Sequence, residues 1–189
     1  MQINIIKNLI FVKNPKIMNI TLLGYMGSGK STVGKSLANS LQLDFIDLDE
    51  YISAQEKKSI HEIFSEYGEI YFRKKENFYL KELLDEDHRV LSLGGGTPVY
   101  YNNMNLINKR SLSFYLKMNP SELALRLSNE KEHRPLISHL EDEDLLEFIA
   151  KHLFERSPFY ELSTYKIQVK QKNPNELCDE IIDLLQLEK

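Results

Sequence analysis

Residues 24–31 run from Gly24 through Gly29 and Lys30 to Ser31, and they satisfy G-x-x-x-x-G-K-[ST] at every fixed position. Few short patterns constrain a fold as strongly. Glycines let the backbone turn so that successive N–H groups point inward around phosphate oxygens. The helix that follows aims its positive end at the same anion. The flanks agree. Residues 17–23 are apolar except Asn19 and Thr21, as in a buried parallel strand. Val33, Leu37 and Leu41 form one stripe on a helix over 30–41. In this loop Lys30 reaches the β- and γ-phosphates of a nucleotide and the Ser31 hydroxyl can ligate Mg²⁺. A dinucleotide fingerprint fails, because it needs glycine where Thr32 stands.

The 189 residues suit one α/β domain. Strand and helix patterns alternate without repeats or linkers, which predicts a mostly parallel sheet covered on both faces. Further strands are expected over 44–48, 89–93, 111–116 and 165–170. A long helical stretch is expected over 59–84, opened by a capping box at Ser59 and Glu62. Other helices are expected from Pro120, over 144–156, and from Pro174. Residues 129–144 show no period and read as a loop of a length that is usually functional or disordered in compact domains.

The formal charge of −4 argues against a nucleic-acid binder. No apolar run is long enough to span a membrane. The lone cysteine, Cys178, excludes an internal disulfide and suits a reducing cytoplasmic compartment; it reads as a small core residue. Residues 1–17 carry no small-residue cleavage site and are expected to be an extension outside a domain spanning 18–189. The five histidines lack the spacing of a zinc site.

Other residues point to an acceptor beside the nucleotide. Asp47 and Asp49 close the second strand, where ligands bind in open α/β sheets. Period-two spacing puts both on one face if the strand continues that far. One can order Mg²⁺ through water and the other can take a hydrogen bond from an acceptor hydroxyl. The third strand carries no acidic residue for the second metal contact, so Asp47 is the candidate. Arg73, with Glu76 three residues on, suits a bidentate grip on a planar carboxylate. Gly94, Gly95 and Gly96 imply either a tight turn or a ligand lying on the backbone. Arg134 in the charged loop can close over phosphates, and Arg156 is a candidate second carboxylate grip.

Together these motifs resemble the shikimate kinase family: GYMGSGKST at 24–32, DLD at 47–49, GEIYFRKKE at 68–76, LSLGGG at 91–96, HRPLI at 133–137 and ERSPFY at 155–160. Their order and spacing match over about 18–186. The resemblance implies a three-layer α/β/α sandwich around a five-stranded parallel sheet, with a helical acceptor-binding region near 48–84 and a mobile lid near 128–142. It implies transfer of the γ-phosphate of ATP to the 3-hydroxyl of shikimate, with Mg²⁺, on the route to chorismate and the aromatic amino acids, by a cytoplasmic monomer. Carried over residue by residue, it implies that Gly27, Ser28, Gly29, Lys30, Ser31 and Thr32 bind the nucleotide. Ser31 and Asp47 serve the metal. Asp49 holds the acceptor hydroxyls, Arg73 and Arg156 clamp its carboxylate, and Gly94, Gly95 and Gly96 lie along it. Phe64 and Phe72 form an aromatic wall. Arg134 is the lid arginine that reaches ATP. Arg126 and the loop at Lys172 flank the adenine. Thr97, after the three glycines, departs from the small residue usual in the family.

Two rival readings remain at this point. One is another small-molecule kinase on the same scaffold, such as a gluconate kinase. The other is a nucleotide-binding regulator without catalysis.

Overall fold

Every residue of β1 (Asn19–Leu23) is buried, which is what a near-continuous apolar run achieves at the centre of a parallel sheet. In the computed structural model, which describes residues 19–131 and 136–187, β1 lies between β3 (Arg89–Ser92) and β4 (Ser111–Lys117). Outside these lie β2 (Asp44–Asp47), paired with β3, and β5 (Tyr165–Gln168), paired with β4. All pairings are parallel and the order is β2-β3-β1-β4-β5. The proposed extension over 1–17 lies outside the described residues. The polar exceptions in β1 both have hydrogen-bond partners. The Asn19 amide donates to the Glu86 carbonyl at 2.7 Å and accepts from the Arg89 N–H at 3.1 Å. The Thr21 and Ser111 hydroxyls meet at 2.9 Å.

The helices are α1 (Lys30–Leu41), α2 (Leu48–Glu56), α3 (Ile60–Asp85), α4 (Asn103–Arg110), α5 (Pro120–Ser128), α6 (Asp142–Tyr160) and α7 (Pro174–Leu187). Ile20 and Leu22 of β1 pack in one core cluster with α1 and α7. Leu23 of β1 and Leu91 of β3 join a second cluster with α2, α3 and α4. Among the described residues no helix is long and apolar enough to cross a membrane.

Three differences from expectation bear on the site. First, β2 stops at Asp47 and α2 begins at once, without a loop. Asp47 caps α2, its Oδ1 accepting from the Asp49 N–H at 3.1 Å, which satisfies a free donor of the first turn. Asp49 is therefore helical, and the shared strand face expected for the two carboxylates does not exist. Second, α3 has the expected Ser59–Glu62 capping box but bends at Gly68, whose φ of 77° and ψ of 173° suit glycine alone. Third, α6 does not end at Arg156. It continues through Pro158 to Tyr160, whose hydroxyl donates to the Gly95 carbonyl.

Candidate functional site

β2, β3 and β1 are neighbours in the parallel sheet, so their carboxyl ends share one edge, on the side of β1 where the chain changes direction and where ligands of open α/β sheets bind. The loop after β1 has the nest-like shape that its glycines permit: φ is 78° at Gly27 and 90° at Gly29. Gly29 is the N-cap of α1, so the helix's free N–H groups open into this loop. Lys30 folds back over it, its Nζ donating to the Gly24 carbonyl at 2.9 Å and the Tyr25 carbonyl at 3.0 Å. Ser28 is buried and its hydroxyl has no hydrogen-bond partner among the described residues. Thr32 stands exposed on the first turn of α1.

Three oxygens gather beside the loop. The Ser31 hydroxyl donates to Asp47 Oδ2 at 2.7 Å and lies 3.3 Å from the Ser92 hydroxyl. Ser92 occupies the end of β3, the position that carries no acid. Such hard oxygen donors fit Mg²⁺, which keeps several waters and phosphate oxygens in its shell. Among the described residues no group of three or more His, Cys, Asp or Glu is arranged to hold a metal.

The three glycines after β3 lie beneath side chains that arrive from three helices. None of them needs the left-handed backbone region. What each provides is room. A Cβ on Gly94 would come 2.9 Å from Asp49 Oδ1, one on Gly95 would come 3.3 Å from Arg156 Nη1, and one on Gly96 would come 2.6 Å from Arg73 Nη2. Asp49 arrives from α2, Arg156 from α6 and Arg73 from α3, so three helices converge on three successive glycines.

The two arginines are braced. Arg73 Nη1 donates to Glu76 Oε2 at 2.8 Å, and Glu76 is buried. Arg73 Nε donates to Glu69 Oε1 at 3.2 Å. The Arg156 guanidinium lies 5.6 Å from the centre of the Tyr25 ring, and the Tyr25 hydroxyl meets His152 Nδ1 at 3.1 Å. Tyr25 belongs to the phosphate loop, so this packing ties the cradle to α6. Phe64 and Phe72 pack with ring centres 4.6 Å apart, and Phe72 lies 5.0 Å from the Arg73 guanidinium. Arg126 reaches the phosphate loop, donating to the Gly27 carbonyl at 3.3 Å. Lys172 is paired instead with Glu180 at 2.7 Å. Arg134 lies outside the described residues.

The family model for shikimate kinase matches residues 26–186. A shikimate kinase of Flavobacterium johnsoniae is 44% identical over 168 residues, covering 88% of this chain and 98% of its own. The chain belongs to the shikimate kinase family. Its fold superposes on the shikimate kinase of Bacteroides thetaiotaomicron with a TM-score of 0.85 at 36% identity, covering 90% of this chain and 99% of that one. The shikimate kinase of Acinetobacter baumannii in complex with shikimate gives a TM-score of 0.84 at 31% identity, covering 94% and 98%. The activity is that of the family: ATP-dependent phosphorylation of a shikimate hydroxyl. Neither the gluconate-kinase reading nor the non-catalytic regulator survives this membership.

For a shikimate kinase the electrostatics of Asp49 matter most. Burial pushes its carboxyl up to about 6, Asp47 and Glu76 add to the rise, and Lys30 and Arg73 oppose it. Burial likewise raises the Tyr25 phenol to about 12, and it lowers His152, helped by Arg156. Residues that the sequence reading passed over are Tyr25, Ser92, Glu69, Tyr100 and Tyr160. Only Glu69 left a local signal, its i,i+4 spacing from Arg73.

Proposed function

We propose that shikimate lies along Gly94–Gly96 with its carboxylate between Arg73 and Arg156 and its 3-hydroxyl at Asp49. One observation carries this reading: three side chains of the right chemistry, an acid and two guanidiniums, each lie against a different one of three successive glycines. Phe64 and Phe72 wall the acceptor. Gly27, Ser28, Gly29, Lys30, Ser31 and Thr32 hold the nucleotide phosphates, and Arg126 with the loop at Lys172 flanks the adenine.

In the reaction, the oxygen of the hydroxyl forms a bond to the γ-phosphorus as the bond from that phosphorus to the bridging oxygen breaks, and ADP leaves. The hydroxyl proton passes to Asp49, whose raised proton affinity suits an acceptor working near neutral pH. Catalysis rests mostly on positioning and on charge neutralisation by Lys30 and Arg134. Ser31 and Asp47 would hold Mg²⁺, which when bound supplies positive charge against the phosphate oxygens. Residues 18–189 form one catalytic domain in this reading, with 48–84 binding the acceptor and 128–142 closing over it. The enzyme works as a cytoplasmic monomer.

Steady-state kinetics test the acceptor assignment. Arg73→Ala and Arg156→Ala should each raise the shikimate KM by about tenfold or more, as loss of a hydrogen bond to a charged group does, with ATP KM little changed. An unchanged shikimate KM in both variants refutes the clamp.

A further inference from the structure

The 97–100 segment carries two side-chain hydroxyls, and the structure shows where they go. The Thr97 hydroxyl donates to Glu76 Oε1 at 2.6 Å. The Tyr100 hydroxyl donates to Glu69 Oε1 at 2.9 Å. Glu76 and Glu69 are the two carboxylates that Arg73 donates to. We propose that Thr97 and Tyr100 are positioning residues for the acceptor, each holding one of the two carboxylates that orient Arg73. This rests on the reading of Arg73 as a grip on the acceptor carboxylate.

A guanidinium is a planar fork of donors, and its usefulness depends on which edge it presents. Here Nε is turned to Glu69 and one hydrogen of Nη1 to Glu76. The remaining edge, with Nη2, packs close to Gly96, where a Cβ would stand 2.6 Å from it. The ring of Tyr100 adds the third constraint. It lies 4.3 Å from the Arg73 guanidinium carbon, so it fixes the plane while its hydroxyl fixes Glu69. Glu69 is half exposed and would otherwise move freely in solvent. Glu76 has the opposite problem. It is buried beside Asp49, and both acidic oxygens and the Thr97 hydroxyl converge on Gly94, at 2.9, 3.3 and 3.1 Å from its Cβ position. The hydroxyl of Thr97 gives Glu76 Oε1 a donor there.

The segment is itself anchored to the helix it serves. The Thr97 carbonyl accepts from Asn103 Nδ2 at 2.8 Å, and Asn103 Oδ1 accepts from Asn77 of α3 at 2.6 Å. The strut and the arginine therefore share one rigid frame.

The test uses the full-length enzyme and the steady-state kinetics of both substrates. Tyr100 is partly exposed, so Tyr100→Leu should fold; it should raise the shikimate KM about five- to tenfold, as losing a bond to a charged group and a ring contact does, with ATP KM and kcat within about twofold. Tyr100→Phe keeps the ring and should lie between. Thr97→Val should raise the shikimate KM similarly, and Thr97→Ser should restore it. In an Arg73→Ala background, Tyr100→Leu should add less than about twofold, because residues acting through one group are not additive. If Arg73→Ala raises the shikimate KM but Tyr100→Leu and Thr97→Val do not, the struts are refuted and the clamp stands. Losses shared equally with ATP KM, or fully additive losses in the double variant, also refute the inference. If Arg73→Ala leaves the shikimate KM unchanged, the reading of Arg73 fails first and the struts lose their purpose.

Discussion

A Cβ on Gly96 would stand 2.6 Å from Nη2 and 2.8 Å from Nη1 of Arg73. Gly96 itself has φ of −89° and ψ of −20°, a conformation that alanine accepts without strain. The glycine is thus needed for the space in front of the guanidinium and not for the turn. Gly96→Ala should raise the shikimate KM at least about tenfold with the ATP KM little changed. Gly27→Ala makes the contrast. Its φ of 78° and the Leu127 side chain at 3.1 Å oppose a Cβ, so it should lose stability and ATP affinity together. Urea unfolding and the two KM values separate these outcomes.

The raised carboxyl of Asp49 makes shikimate binding depend on pH. Above about 6 Asp49 is ionised and takes a hydrogen bond from the acceptor hydroxyl; below that it holds a proton and loses this role. Shikimate affinity of the nucleotide-free enzyme should therefore fall between pH 7 and 5, with a midpoint near 6. The effect on stability has the opposite sign. The native state takes up the proton before the unfolded chain does, so this group favours the fold most below the ordinary carboxylate range, and that contribution is lost as pH rises through about 6. Calorimetric titration of shikimate at several pH values checks the first point. Affinity that stays flat from 5 to 8 contradicts it, and Asp49→Asn should abolish the slope.

The Ser31 hydroxyl and Asp47 Oδ2, 2.7 Å apart, are the proposed metal contacts. Ser31→Ala and Asp47→Asn should each raise the Mg²⁺ concentration needed for half-maximal turnover by about ten- to a hundredfold, the range seen for groups that hold or orient metal ligands. Shikimate binding without nucleotide should change little in Ser31→Ala. A Mg²⁺ dependence identical to wild type in both variants removes the pair from the metal site.

The phosphate loop was legible in the sequence because its function needs contiguous residues with fixed backbone demands. The central strand was legible because β1 is a near-continuous apolar run. Two helices were not. α2 follows β2 with no intervening turn residue, so the boundary shows only as Asp47 capping the first turn. α4 reads NMNLINKR, too polar for a period to emerge from Met104 and Ile107 alone. Pro158 suggested a helix end, yet α6 runs on to Tyr160 because tertiary packing outweighs one missing N–H near a terminus. Arg73, Asp49 and Arg156 were found from their chemistry and from the family pattern. Tyr100 was not, and Thr97 was noted only for its residue type, since their partners lie 31 and 21 residues away and no local spacing encodes a contact of that range.

Glu56 sets the angle between the two helices that deliver Asp49 and Arg73. It ends α2, and its carboxylate accepts from Tyr71 at 2.9 Å and from Tyr79 at 2.5 Å while pairing with Lys75 at 2.8 Å. All three partners lie on α3 between Gly68 and its C-terminus. Removing the carboxylate leaves three donors short of an acceptor in a partly shielded seam, which should lower the unfolding free energy of Glu56→Leu by about 1–3 kcal/mol. Glu56→Gln keeps one acceptor oxygen and should lose less. Because Asp49 rides on the opposite end of the same short helix, Glu56→Leu should also raise the shikimate KM, and raise it more than the ATP KM, since the phosphate loop is built on β1 and α1. Urea titration and steady-state kinetics on the same preparations check both halves, and stability equal to wild type in Glu56→Leu would show that the seam is held by its apolar contacts instead.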